Sequence, residues 1–353
     1  MTLNLKQLGW NEQLEQQFNE YKEQGLSVGR IALEHKRMYR VFSESGELLG
    51  EVSGKFRFEA EEREEYPSVG DWVVITPRVE EGRATIHKIL PRSSKFSRNV
   101  AGRTTEEQVV AANVNTVFLV TALNNDYNLR RIERYLIMAW ESGATPVIIL
   151  SKADLCDDVA TKLAEVESVA FGVPTYVIST VNEEGLEPLQ QYLTTGQTVA
   201  LLGSSGAGKS TLTNYLIGQE KQLIKEVREG DDRGKHTTTH RELIIHPGGG
   251  LIIDTPGMRE LQLWEAEDSS EHVFHDIHEL EQQCRFRDCT HVSEPNCAVK
   301  NAIADGTLSE SRFVSFLKLQ KELAYLERKA NIRAQQAEKA KWKKVAVSYR
   351  KNN

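Results

Sequence analysis

The 353-residue sequence is short of the features that mark several large classes of protein. No apolar run approaches the about 18 residues needed to cross a bilayer, so no membrane segment is expected. The N-terminus, MTLNLKQLGWNEQLEQQ, lacks the pattern of a secretory signal, and a cytoplasmic location is expected. Cysteines number only four, and three of them fall between 284 and 297. That grouping suggests a metal site in a reducing compartment rather than a disulfide framework. There is no internal repeat. A positive net charge is also missing: the chain carries −7, which rules out a bulk-charge argument for nucleic-acid binding. The balance is uneven, however. From Lys318 to Asn353 eleven Lys/Arg face three Glu, a local +8, leaving −15 for the rest, where EAEEREEYP (59–67) is a dense acidic patch. Hydrophobic residues at 39% suffice for two or three domains of this length.

What is present begins with LLGSSGAGKSTL (201–212). Gly203, Gly208, Lys209 and Ser210 satisfy G-x-x-x-x-G-K-[ST], between an apolar strand-like run and a helix-like run stopped by Gly218. Glycines let backbone N–H groups turn inward around phosphate oxygens at a helix N-terminus. Gly203, Ser204, Ser205, Gly206, Ala207, Gly208, Lys209, Ser210 and Thr211 are the expected phosphate cradle. Lys209 would reach the β- and γ-phosphates, and the Ser210 hydroxyl would ligate Mg²⁺.

Which base is bound is decided elsewhere. VIILSKADL (147–155) is a buried strand followed by Ser151, Lys152, Ala153 and Asp154, close to the Asn-Lys-x-Asp of GTPases. A carboxylate there accepts two hydrogen bonds from guanine, and adenine has no such donor pair. TYVIST (175–180) adds the strand-then-serine pattern, with Ser179 at the guanine oxygen. LIIDTPG (251–257) supplies Asp254 for Mg²⁺ through water and the Gly257 N–H for the γ-phosphate. The base-reading elements thus precede the phosphate loop, and the order is circularly permuted. Nearby chain termini make such a permutation admissible. It also places the strand carrying Asp254 directly at the exit of the domain.

One catalytic residue is missing. The position after Asp-x-x-Gly, which holds a water-orienting Gln in Ras-like enzymes, is Met258. A slow intrinsic reaction is expected. Further on, CRFRDCTHVSEPNC gives Cys284, Cys289, His291 and Cys297, a closed tetrahedral donor set for one structural Zn²⁺.

The permuted order, GKHTTTH before DTPGMREL, and the Cys/His cluster together resemble the ribosome small subunit-dependent GTPase A family, also called YjeQ or RsgA. The resemblance covers about residues 30–325. It implies GTP and GDP with Mg²⁺ as cofactors, and the small ribosomal subunit with its rRNA as partner. It further implies hydrolysis that is stimulated by the subunit and coupled to release during late maturation. It assigns the water-positioning role to a switch histidine, which matches His236, while Thr238 or Thr239 is expected on Mg²⁺. Two positions depart from the family: Ser151 replaces the usual Asn or Thr that braces the loop, and Asn115 replaces the usual Asp.

The expected architecture is multi-domain α/β. A helical lead-in (1–27) precedes five short strand-like runs (28–95), whose spacing and family likeness suit an OB-fold barrel. Residues 96–112 read as a polar linker. A permuted GTPase domain with a mainly parallel sheet follows (113–262), then a zinc-stabilised helical domain with a basic tail (263–353). In the barrel Arg30, Lys36, Arg37, Arg40, Lys55 and Arg57, with Tyr39, Phe56 and Phe58, either contact nucleic acid or fill and solvate the fold. TLSESRFVSFLK suggests a helix capped by Thr307 and Glu310. The tail after 328 is either solvated or an arm that orders on rRNA. A monomer is expected. Two other functions fit parts of the pattern: a P-loop metabolic kinase, and an RNA-binding module in which GTP only sets conformation.

Overall fold

The computed structural model describes residues 3–35, 37–99, 107–218, 241–254, 273–291, 294–321, 323–325 and 328. The chain divides into two compact units, Met1–Gln262 and Leu263–Asn353.

The first unit opens with helix α1 (Glu12–Lys22), whose start is fixed by Asn11 accepting from the Leu14 N–H. Strands β1 (Ser27–His35), β2 (Met38–Ser43), β3 (Gly46–Val52), β4 (Trp72–Arg78) and β5 (Arg83–Ile89) come next, with helix α2 (Gly54–Glu59) between β3 and β4. They pair in the order β1-β2-β3-β5-β4, and β4 returns to β1, closing a five-stranded barrel. Every pairing is antiparallel except β3 with β5. That closure, with a helix between the third and fourth strands, is OB-like. β3 shows why the sequence folds so: Leu48, Gly50 and Val52 turn inward while Glu47 and Leu49 face out, the two-residue period of a one-sided strand. Ile31, Tyr39, Val41, Phe56, Val73, Ile75 and Ile86 fill the interior.

Two strands are described within the stretch expected to be a polar linker (96–112). Strands β6 (Lys95–Asn99) and β7 (Glu107–Ala112) form an antiparallel ribbon, pinned by Lys95 on Glu107 at 2.8 Å. Phe96, Val109 and Val110 are buried in it. Its polar composition hid an apolar inner face.

The remaining strands form the nucleotide-type sheet: β8 (Thr116–Ala122), β9 (Thr145–Ser151), β10 (Thr175–Val177), β11 (Thr198–Gly203), β12 (Glu242–Ile245) and β13 (Leu251–Asp254). Their order is β10-β9-β8-β11-β13-β12, parallel throughout except for β12. All seven residues of β8 are buried, as a parallel strand covered on both faces requires. Helices α3 (Leu129–Ser142), α4 (Val159–Val169) and α5 (Lys209–Ile217) accompany the sheet. β12 also pairs with β1 at Leu33–Glu242, so barrel and GTPase sheet run edge to edge.

Arg30 holds this junction. It is 1% exposed and donates to the carbonyls of Leu8, Gly70 and Asn113. Burial pushes its guanidinium down to about 9, with Asp71 opposing. Arg30, Tyr39 and Phe56 are therefore internal parts of the fold, not a nucleic-acid face.

In the second unit, α6 (His275–Gln282), entered at Phe274, packs against a helical stretch over 310–321 through Phe313 and Phe316, and α7 (Ala298–Ala304) lies beside α6. The expected cap at Thr307 is not formed. Its hydroxyl donates to Asp305 at 2.6 Å, and the helix instead starts after Ser309, whose carbonyl accepts from Phe313.

Candidate functional site

The phosphate loop lies between β11 and α5, as its sequence requires. Gly206 (φ 77°) and Gly208 (φ 90°) take left-handed backbone conformations that suit glycine. A Cβ on Gly203 would sit 2.2 Å from the Val120 carbonyl, so that position needs glycine for space. Ser210 and Thr211 fall in the first turn of α5, where N–H groups have no intrahelical acceptor and the dipole favours anions. The Lys209 ammonium spans the loop, donating to the carbonyls of Gly203 (2.7 Å) and Ser204 (2.6 Å).

The base-reading segments converge on this loop. Ser151 ends β9, Lys152 turns with φ 59°, and Ala153 to Leu155 make a single 3₁₀ turn carrying Asp154. The fully buried Ser179 donates to Asp154 Oδ1 at 2.6 Å and accepts from the Asn182 N–H at 3.2 Å. A backbone pair with Glu184 fixes Ser179 further. The Asp154 carboxylate is thereby held in a fixed orientation.

Ser151 does what the departure from the family pattern left open. It is 4% exposed, and its hydroxyl reaches the Ala207 carbonyl at 2.6 Å and the Thr121 carbonyl at 3.3 Å. The expected base-reading turn is thus tied directly to the phosphate loop. Asn115 also has a place: its side chain accepts from the Thr198 N–H at 2.8 Å, and its own N–H donates to the Thr198 carbonyl, pinning β8 to β11.

Asp254 stands at the end of β13, which runs parallel to β11 and carries it to the same end of the sheet as Gly203. His236, Thr238, Thr239, Gly257 and Met258 lie outside the described residues, as does Lys36 in the barrel. Sequence reasoning missed Asp126, in the β8–α3 connection. Its carboxylate accepts from the Ser204 hydroxyl and pairs with Arg131 at 2.8 Å. Nothing in the local sequence couples Asp126 to a residue 78 positions away.

In the second unit Cys284, Cys289, His291 and Cys297 come together, their donor atoms all within 4.8 Å of one another. Cys284 and Cys297 sulfurs are 3.9 Å apart, and His291 Nδ1 lies 3.7 and 3.3 Å from them. With metal–sulfur bonds of about 2.3 Å, the edge of a tetrahedral site is about 3.8 Å. The donor set therefore fits such an ion, and it could bind zinc. Cys297 also caps α7, its sulfur accepting from the Lys300 N–H at 3.5 Å.

A phosphate loop on a mainly parallel sheet, with the base-reading turn encoded ahead of it, defines a circularly permuted P-loop GTPase. The RsgA GTPase family model matches residues 89–264. A "Small ribosomal subunit biogenesis GTPase RsgA 1" of Oceanobacillus iheyensis is 48% identical over 92% of this chain and 93% of its own. An RsgA 2 of the same description from Lactiplantibacillus plantarum is 46% identical over 97% and 94%. Among solved structures, YjeQ from Thermotoga maritima superposes with a TM-score of 0.63 at 30% identity, covering 85% of this chain and 99% of that one. YloQ, described as a circularly permuted GTPase, gives 0.60 at 25% identity over 85% and 95%. The chain belongs to the RsgA GTPase family, and it is a GTP hydrolase. The GTPase names of these relatives favour neither the metabolic kinase nor the purely conformational use of GTP.

Proposed function

We propose that this GTPase binds the small ribosomal subunit and its rRNA as a cytoplasmic monomer and assists late maturation of the subunit. GTP hydrolysis, slow in the free protein and stimulated by the subunit, drives its release. The names of the relatives support the partner. Two hydrogen bonds support the guanine half of the reading: Ser179 to Asp154, which fixes the carboxylate, and Ser151 to the Ala207 carbonyl, which ties the preceding strand end to the phosphate loop.

In this reading Ser151, Lys152, Ala153, Asp154 and Ser179 hold guanine, and residues 203–211 with Gly257 hold the phosphates. Ser210, Asp254 and one of Thr238 and Thr239 serve Mg²⁺. His236 positions the attacking water, because Met258 has no polar group to do so. Cys284, Cys289, His291 and Cys297 hold one structural Zn²⁺ with no coordination position left open for catalysis. The domain boundaries are those of a lead-in to 27, a barrel to 95, a GTPase domain over 113–262 and a zinc domain beyond.

Multiple-turnover hydrolysis with and without purified small subunits tests the proposal. Strong stimulation by subunits, and competition by GDP but not ADP, are expected. Turnover indifferent to subunits would overturn it.

A further inference from the structure

The Cys/His cluster continues past its four donor atoms. His291 has φ 60°, in the left-handed region, which is uncommon outside glycine although histidine is among the residues that enter it more often. Its ring packs edge-on against Phe313, with centroids 6.0 Å apart and planes at 83°. Nδ1 faces the sulfurs of Cys284 and Cys297, while Nε2 lies 3.0 Å from Oε1 of Glu281. The second oxygen, Oε2, is 2.8 Å from Nδ1 of His278, whose ring rests edge-on against Phe316 at 5.3 Å. Glu281 and His278 sit one turn apart on α6, the helix that ends just before Cys284.

We propose that Glu281 is the positioning residue of this centre. A carboxylate accepts only, so the Nε2 that faces it carries the ring proton and donates. Nδ1 is then left with its lone pair toward the sulfurs, as the metal-binding nitrogen. His278 donates through its own Nδ1 to the other carboxylate oxygen and stops Glu281 from rotating away. Phe313 and Phe316 hold the two rings, so the helical stretch over 310–321 is packed against the ligand sphere. Carboxylate–histidine–metal chains of this kind fix the tautomer and raise the basicity of the ligand. This inference rests on the zinc reading above.

The test uses the full-length protein and Zn²⁺ alone, with affinity measured by competition against a chromophoric chelator. Glu281→Ala should lower zinc affinity about 10- to 100-fold while GTP binding stays at the wild-type level. Glu281→Gln, whose amide oxygen still accepts from His291 while its NH₂ donates to His278 Nδ1 once that ring takes the other tautomer, should recover most of that loss. Excess zinc should restore the melting of the second unit in the alanine variant, which a purely structural lesion would not allow. Long-range ¹H–¹⁵N correlation spectra of the zinc-loaded wild type should show His291 bound through Nδ1 and protonated at Nε2. Should the alanine variant not fold, those spectra decide. Metal on Nε2, or unchanged affinity in Glu281→Ala, overturns the role of Glu281. A wild-type protein without stoichiometric zinc overturns the zinc reading itself.

Discussion

In the proposed base site, guanine offers a carboxylate two donors, its ring N–H and its amino group, and adenine offers no such pair. Asp154 is placed for that contact by Ser179, whose hydroxyl already occupies Oδ1 at 2.6 Å and so fixes the rotation of the carboxylate. Asp154→Asn replaces one acceptor oxygen with a donor and removes the charge. Guanine nucleotide affinity should fall by roughly 1.5–3 kcal/mol, or about 10- to 150-fold, the range for hydrogen bonds to charged groups. Titration with a fluorescent GDP analogue reads this directly, and equal wild-type affinities for ATP and GTP would remove the assignment. Motif residues of this kind are legible in sequence because the ligand dictates them. A phosphate cradle needs glycine where the backbone turns left-handed, and Gly206 and Gly208 satisfy that need. Ser151 was legible only as a departure. Its partner, the Ala207 carbonyl, is 56 residues away and carries no side-chain signal.

Elements meet where several backbones share one side chain, and Arg30 is such a point. It joins the lead-in at Leu8, the β4 approach at Gly70 and the entry to the GTPase sheet at Asn113. Its sequence neighbourhood suggested nucleic-acid contact because its acceptors are carbonyls, which any residue can supply. Arg30→Ala removes the donor for the Leu8 and Asn113 carbonyls, whereas Gly70 keeps the Asn113 side-chain amide at 3.1 Å. Leaving a buried carbonyl unmet costs about 1–3 kcal/mol, so a stability loss of about 2 kcal/mol or more is expected, before the cavity is counted. Urea unfolding followed by tryptophan fluorescence measures it, and a midpoint unchanged from wild type would contradict the role. The β6–β7 ribbon was hidden for a related reason: Ser97 and Gln108 are buried polar residues on its strands, so no clean alternation showed. Arg40, by contrast, pairs with Glu47 and Glu242 at the half-exposed rim, where such contacts contribute only about 0.2–1 kcal/mol.

At the scale of the molecule, the described residues of the second unit bury a small apolar set: Val273, Phe274, Ile277, Val299, Ala302, Leu308, Phe313, Phe316 and Leu319. The proposed zinc ion would supply a large share of its folding energy. Chelation should therefore melt this unit first. Cys289→Ala should do the same, while nucleotide affinity remains near wild type because the first unit holds the described phosphate and base residues. Calorimetry with and without chelator, alongside elemental analysis, checks both points. A single unaltered transition after complete metal removal would sink the claim.

The permuted order adds a mechanical consequence. Asp254 ends β13, and in the sequence the segment bearing Gly257 and Met258 comes between it and the second unit. In the proposed mechanism, the segment that would sense the γ-phosphate also joins the C-terminal unit, an arrangement suited to a switch that reports hydrolysis by releasing a partner. If Met258 cannot hold water and His236 does so only on the subunit, His236→Ala separates binding from chemistry. GTP affinity should persist, since the phosphate cradle and Asp154 are untouched. Subunit-stimulated turnover should fall about 10²- to 10⁴-fold, the contribution of one positioned catalytic group. The variant should also remain on the subunit with GTP, because loss of the γ-phosphate is slowed in proportion. Single-turnover hydrolysis and co-sedimentation with purified subunits read the two effects separately. Normal stimulated turnover in His236→Ala would leave the attacking water to another group, and prompt dissociation of an inactive variant would uncouple release from hydrolysis.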